Sequence, residues 1–250
     1  MVSGLNRKEG SRGQAVLVIQ NTPSGGLERM GGWLREAGLL LEVVHAHTGE
    51  PPPATLGHRA LVVLGGGFLP CEDERAPWLP AVRHLTGQAL QDGNPMLGIC
   101  LGAQLLAHVA GGTVRGRHGA PEYGSTPIRL RAGAHDDPLF GGLPAVAPAI
   151  EHHVDAIAEL PPGAVWLAES ERCPYQGFRV GDSAWGVQFH PEAAAAQIRC
   201  WDQERLREQG FDPDRLYAQA TADEPASAAA WKAFTHHFAK AITRGSPGTG

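Results

Sequence analysis

Lysine is scarce in this chain, confined to Lys8, Lys232 and Lys240, and aromatic side chains make up only 6% of its 250 residues. The formal net charge is -5. Without a basic field, or a basic segment interleaved with aromatics, the chain lacks the electrostatic footprint that holds nucleic acid or an anionic membrane surface. Long apolar runs are missing as well: stretches such as Ala60–Leu64 fall far short of the ~20 residues that span a bilayer. The four cysteines, Cys71, Cys100, Cys173 and Cys200, lie at irregular spacing that makes neither a disulfide framework nor a zinc pattern. The histidine pairs His45/His47, His152/His153 and His236/His237 supply no four-ligand set either. No metal and no cofactor are therefore expected, and a reducing cytoplasm is the expected location. Residues 1–14 are polar and basic with no apolar signal-peptide core, and read as a flexible leader.

What is present is an alternation. Ala15-Val16-Leu17-Val18-Ile19 is a β-branched run of the kind buried on both faces of a sheet. A helix is expected over Gly26–Ala37, stopped by Gly38, then strands over Leu39–Val44 and Ala60–Leu64, the latter running into Gly65-Gly66-Gly67. Ala76–Gln91 reads as a helix, Met96–Ile99 as a strand and Leu101–Ala110 as a helix capped by Gly111-Gly112. This order predicts parallel strands with helices on both faces. Shorter strands, mostly antiparallel, are expected at Thr126–Arg131, Val165–Ala168, Gln176–Val180 and Ala184–Phe189. Helices are expected at Ala193–Gln209 and Ala226–Ile242, the second with Trp231, Phe234, Phe238 and Ile242 as a core stripe. The expected fold is α/β: a flavodoxin-like three-layer sandwich with a central mostly parallel sheet, a small antiparallel sheet and extra C-terminal helices. One domain covers residues 15–243, its C-terminal helices residues 193–243, and 244–250 form a flexible tail.

Two segments carry chemistry. Gly98-Ile99-Cys100-Leu101-Gly102 sits between the Met96–Ile99 strand and the helix after it, the thiol counterpart of a G-x-S-x-G nucleophile elbow. Glycines two residues either side of Cys100 relieve the crowding of a sharp strand-to-helix turn. The turn sets the sulfur at a helix N-terminus, where the dipole favours negative charge. The second segment is Phe189-His190-Pro191-Glu192. Pro191 biases His190 toward extended backbone, where residues two apart share a side. Glu192 can then hold one ring nitrogen of His190 while the other faces Cys100, giving nucleophile, base and orienting group. The backbone N–H of Leu101, and one from the loop at Gly66, are candidates for an oxyanion hole.

Together with Leu64-Gly65-Gly66-Gly67, Glu122-Tyr123-Gly124 and His153-Val154-Asp155, these segments resemble the class I, triad-type glutamine amidotransferases over residues 15–192. The likeness is to free-standing members similar to the amidotransferase domain of GMP synthase. It implies hydrolysis of the glutamine side-chain amide through a γ-glutamyl thioester on Cys100, with His190 and Glu192 completing the triad and Gly66 and Leu101 forming the oxyanion hole. It implies that Gly67, Gln104, His153 and Asp155 bind substrate, although Val154 stands where the family often has glycine. It also implies a separate ammonia-accepting synthase as partner, because after Glu192 the sequence shows only two or three helices and no P-loop. Two other functions remain open: a stand-alone hydrolase of γ-glutamyl peptides or amides, and a non-catalytic regulatory subunit of the same fold.

Overall fold

The computed structural model describes residues 13–244. The expected leader, apart from its last two residues, and the tail after Arg244 lie outside the described residues. Strands β1 (Ala15–Gln20), β2 (Leu40–His45), β3 (Ala60–Val63), β4 (Met96–Ile99) and β11 (Ala184–Val187) are mutually parallel in the spatial order β2-β1-β3-β4-β11. Beyond β11 the same sheet continues antiparallel through β10 (Gly177–Val180), β9 (Val165–Glu169), β6 (Glu122–Leu130) and β7 (Val146–His153). A two-stranded ribbon pairs β5 (Thr113–Arg115) with β8 (Ala156–Glu159).

The layers follow from the two-residue period of the strands. On β1, Val16 and Val18 face a core shared with α1 (Glu28–Glu36) and α5 (Pro213–Arg244). Leu17 and Ile19 face the opposite core, shared with α2 (Leu79–Asp92) and α3 (Leu101–Val109). Every residue of β1 is buried, as a two-faced strand requires. The stripe Trp231, Phe234, Phe238 and Ile242 is buried in the first core, where Phe234 meets Phe140 edge to face. The α/β architecture, its small antiparallel sheet and its C-terminal helices are as the sequence led us to expect.

The differences lie in the second half. Ala193–Gln209 is not one helix. A 3-10 segment, Ala195–Cys200, gives way to extended backbone at Trp201, and α4 (Gln203–Glu208) restarts with the Asp202 side chain accepting from the Arg205 N–H at 3.0 Å. The Trp201 ring stacks on His152 with centroids 4.4 Å apart, a tertiary contact that overrides local helix propensity. Conversely, α5 starts at Pro213 and runs through Pro225, although proline locally favours a stop. Burial of Ala220, Ser227 and Ala230 carries the helix across it. Strand β7 was not anticipated because Pro148 interrupts its pattern; it survives at the sheet edge, where a missing donor is tolerated.

Candidate active site

Cys100 is the single residue between β4 and α3, with φ +52° and ψ -107°. Positive φ on a non-glycine residue costs about 1–3 kcal/mol and persists only where its surroundings impose it. Here they do. The Cys100 N–H donates to the Val187 carbonyl at 2.8 Å, and its carbonyl accepts from Gln104 N–H at 3.0 Å. A Cβ on Gly98 would run into the Gly102 carbonyl, and one on Gly102 into the Val63 carbonyl. The two glycines let strand and helix close together, and that closure turns the cysteine outward.

His190 follows β11 and is tied to β7 by its N–H, which donates to the Ile150 carbonyl at 2.8 Å. Its Nδ1 lies 2.7 Å from Glu192 Oε1. Its Nε2 has no conventional hydrogen-bond partner among the described residues, and the Cys100 thiol is its neighbour on that side. Burial opposes a charged imidazole, but the Glu192 carboxylate and the Cys100 sulfur outweigh it and hold the His190 pKa well above its ordinary value. The glycine loop closes over this pair: a Cβ on Gly65 would sit 3.0 Å from His190 Cε1 and 3.4 Å from Cys100 Cβ. Gly66 abuts Leu101, whose N–H opens α3 and, like those of any first helical turn, has no partner within the helix.

Residues 32–199, more than half of the chain, match the family described as glutamine amidotransferase class-I. The chain belongs to the class-I glutamine amidotransferase family. A GMP synthase (glutamine-hydrolyzing) of Thermomicrobium roseum is 41% identical over 137 residues, covering 53% of this chain and 23% of that protein. One from Corynebacterium glutamicum is 38% identical over 160 residues, 64% of this chain and 28% of that protein. The chain therefore spans about a quarter of the length of those relatives. A Pyrococcus abyssi protein named as one subunit of a GMP synthase (glutamine-hydrolyzing) is 44% identical over 101 residues, 40% of this chain and 52% of that one. Among solved structures, a glutamine amidotransferase from Thermotoga maritima superposes with a TM-score of 0.81 at 26% identity, over 91% of this chain and 99% of that one. A glutamine amidotransferase from Methylobacillus flagellatus gives 0.75 at 25% identity, over 95% and 97%.

In this amidotransferase Cys100, His190 and Glu192 open onto a cleft of about 900 Å³, bordered also by Gly65–Gly67, Gln104, Tyr123, His153, Asp155, Arg117, Trp201 and Arg205. The other expected substrate residues reach the cleft wall but are partly committed to the protein. The Gln104 amide nitrogen donates to the Asp155 carbonyl at 3.0 Å and to Gln188 Oε1 at 3.1 Å. His153 is buried, with Nε2 3.2 Å from Glu122 Oε2 and Nδ1 3.2 Å from the Asp155 carbonyl. The Asp155 carboxylate accepts from the Arg117 N–H at 2.8 Å. Val154 needs no glycine here, since it is not among the residues with positive φ.

Three contributors escaped the sequence reading. Gln188 donates to the Cys100 sulfur at 3.5 Å. Its place two residues before His190 was the available signal, because alternate residues of an extended segment share a side. Arg29 of α1 clasps the His-Pro-Glu segment from outside, donating to the Pro191 carbonyl at 3.1 Å, Glu224 at 2.8 Å and Ser227 at 2.9 Å. Glu151 lies behind the triad, fully buried. A second grouping of cysteine, histidine and glutamate also appears: ligand-type atoms of Glu122, His153 and Cys173 all lie within 4.8 Å of one another. Cys173 does not border the cleft, and burial together with Glu151 and Glu122 pushes its thiol pKa strongly up.

No helix among the described residues is long and apolar enough to cross a membrane.

Proposed function

We propose that this amidotransferase hydrolyses the side-chain amide of glutamine through a thioester on Cys100 and passes the ammonia to a separate synthase partner. The observation that carries the reading is the Cys100 elbow set beside the His190–Glu192 pair at the mouth of the cleft. His190 takes the Cys100 proton and the thiolate attacks the amide carbon. The oxyanion develops against the N–H groups of Gly66 and Leu101. His190 then protonates the departing nitrogen, and ammonia leaves a γ-glutamyl thioester. Water attacks that thioester, giving its proton to His190; glutamate departs and the proton returns to sulfur. Glu192 fixes the ring and balances its charge throughout.

A separate acceptor is supported by the Pyrococcus abyssi relative, which is named as one subunit of its synthase rather than as the whole enzyme. The test is to incubate the chain with glutamine, alone and with candidate synthases, and to measure glutamate and ammonia. Alone, the chain is expected to release glutamate and ammonia in equal amounts; with its synthase and that enzyme's other substrates, free ammonia should fall short of glutamate by the amount incorporated, and Cys100→Ala should abolish release of both. Undiminished turnover by Cys100→Ala would overturn the assignment.

The cleft supports a second reading. Its volume lies near the top of the roughly 300–1,000 Å³ range of small-molecule sites, more than glutamine alone needs. Turnover of γ-glutamyl peptides far above that of glutamine would replace ammonia delivery with stand-alone hydrolysis.

A further inference from the structure

Strand β7 turns Ala147, Ala149, Glu151 and His153 to its buried face, so a carboxyl group enters a row that begins with methyl groups. The Glu151 side chain has no exposed surface, and neither of its oxygens has a hydrogen-bond partner among the described residues. The groups facing it come from four directions. Glu122 approaches from β6, and His153 from β7 itself, with Nε2 3.4 Å from Glu151 Oε2. Gln176, Ser170 and Cys173 come from the segment joining β9 to β10, while Cys100 and His190 lie on the cleft side.

The proton count follows from these contacts. His153 can supply at most one positive charge for two carboxyl groups. Glu122 accepts from Ser170 Oγ at 2.7 Å and from Gln176 Nε2 at 2.8 Å, so each of its oxygens has a donor. The donors nearest Glu151 are already committed: the Gln176 amide nitrogen beside it donates to Glu122 at 2.8 Å and Ser170 at 3.3 Å, and His153 Nε2 lies closer to Glu122. A buried carboxylate left without donors costs several kcal/mol. One more atom of the cluster is orphaned, the acceptor oxygen Gln176 Oε1. A proton on Glu151 resolves the mismatch, because its O–H can donate to that oxygen. Burial, then the charge of Glu122, raise the Glu151 pKa well above the ordinary carboxylate value, in the same direction.

We propose that Glu151 is a positioning residue for Cys100: it carries a proton in the folded protein, donates it to Gln176, and braces the cluster behind the nucleophile without adding negative charge there. Two paths join cluster to sulfur. The Gln176 carbonyl accepts from the Gln188 N–H at 2.9 Å, and the Gln188 side chain donates to Cys100. The Asp155 carbonyl faces both His153 and Gln104, and Gln104 donates to Gln188. The inference rests on Cys100 being the nucleophile only for its second readout.

The test uses the full chain and two measurements. The first is the infrared carbonyl band of a protonated carboxylic acid, expected in the wild type at neutral pH and lost in Glu151→Gln. The second is the rate and pH midpoint of Cys100 alkylation by iodoacetamide. Glu151→Gln keeps a donor and an acceptor without charge, and is expected to match the wild-type midpoint and rate. Glu151→Met keeps the length but no hydrogen bond, and is expected to alkylate about tenfold more slowly. Should Glu151→Gln fail to fold, Gln176→Met serves: removing the acceptor moves the wild-type band to higher frequency. Absence of the band, a midpoint lowered by about one pH unit in Glu151→Gln, wild-type alkylation by Glu151→Met, or a stoichiometric metal ion in the cluster would each overturn the proposal. Alkylation of Cys100 no faster than that of exposed Cys200 would count against the nucleophile assignment, while the band would still report the Glu151 proton.

Discussion

Cys100 and Cys173 are both buried thiols with a histidine and glutamates close by, yet their surroundings do opposite things. Cys100 stands at a helix N-terminus beside an imidazole that Glu192 biases toward its charged form, and it opens on the cleft. Cys173 is buried away from the cleft beside Glu151 and Glu122, where burial and then charge oppose its ionisation. Residue types alone do not make a nucleophile. The sign of the nearby charge and access to substrate decide it.

Substituting each thiol in turn gives the largest difference between the two cysteines. Cys100→Ala is expected to lower glutamine hydrolysis by at least about 10⁴-fold, while Cys173→Ala changes kcat less than about threefold. The reverse pattern in a steady-state ammonia assay would transfer the chemistry to Cys173. His190→Ala and Glu192→Gln should follow, with losses of about 10²–10⁴-fold in kcat/KM against little change for Ser170→Ala. Glu192→Gln should also move the pH–rate profile, because it removes the charge that raises the His190 pKa.

A smaller effect separates elbow from cluster by stability. Gly102→Ala forces a methyl group onto the Val63 carbonyl and is expected to cost more than about 2 kcal/mol in denaturant unfolding, or to prevent folding. Smaller still is a pH effect at Glu151. Its pKa is raised in the folded state, so the folded protein holds a proton that the unfolded chain releases once pH exceeds the ordinary value of 4.5. Stability therefore falls as pH rises from that value toward the raised one, at up to about 1.4 kcal/mol per pH unit. Glu151→Gln removes this slope, so its stability relative to wild type should grow between about pH 5 and 7. A constant gap over that range would show that Glu151 is ionised in the folded protein.

Much of the fold was legible because the first half repeats a local rule. Short β-branched runs, glycine stops and helices alternate, and each element can be read without the others. The second half was less legible. Trp201 left its expected helix for a stack on His152, Pro225 stayed inside one, and β7 contains Pro148 and carries Glu151 and His153 on the face where an alternating strand would be apolar. In each case a contact with a distant residue outweighed a local preference. The site divides in the same way. The glycines around Cys100 and the spacing of His190 and Glu192 express backbone constraints within a few residues. Arg29, Gln188 and Glu151 act on atoms brought close by the sheet order.

By itself, then, the sequence determined where a strained cysteine must sit and which histidine carries its own carboxylate, because steric exclusion at glycine and alternation around proline are local. Only the tertiary structure decided that β4 and β11 are neighbours, which sets the Cys100 N–H on the Val187 carbonyl and brings His190 to the thiol. It also decided that Cys173, Glu122 and Glu151 are sealed together behind them. Charge and burial at a point are sums over every element packed around it, and no single stretch of chain contains that sum.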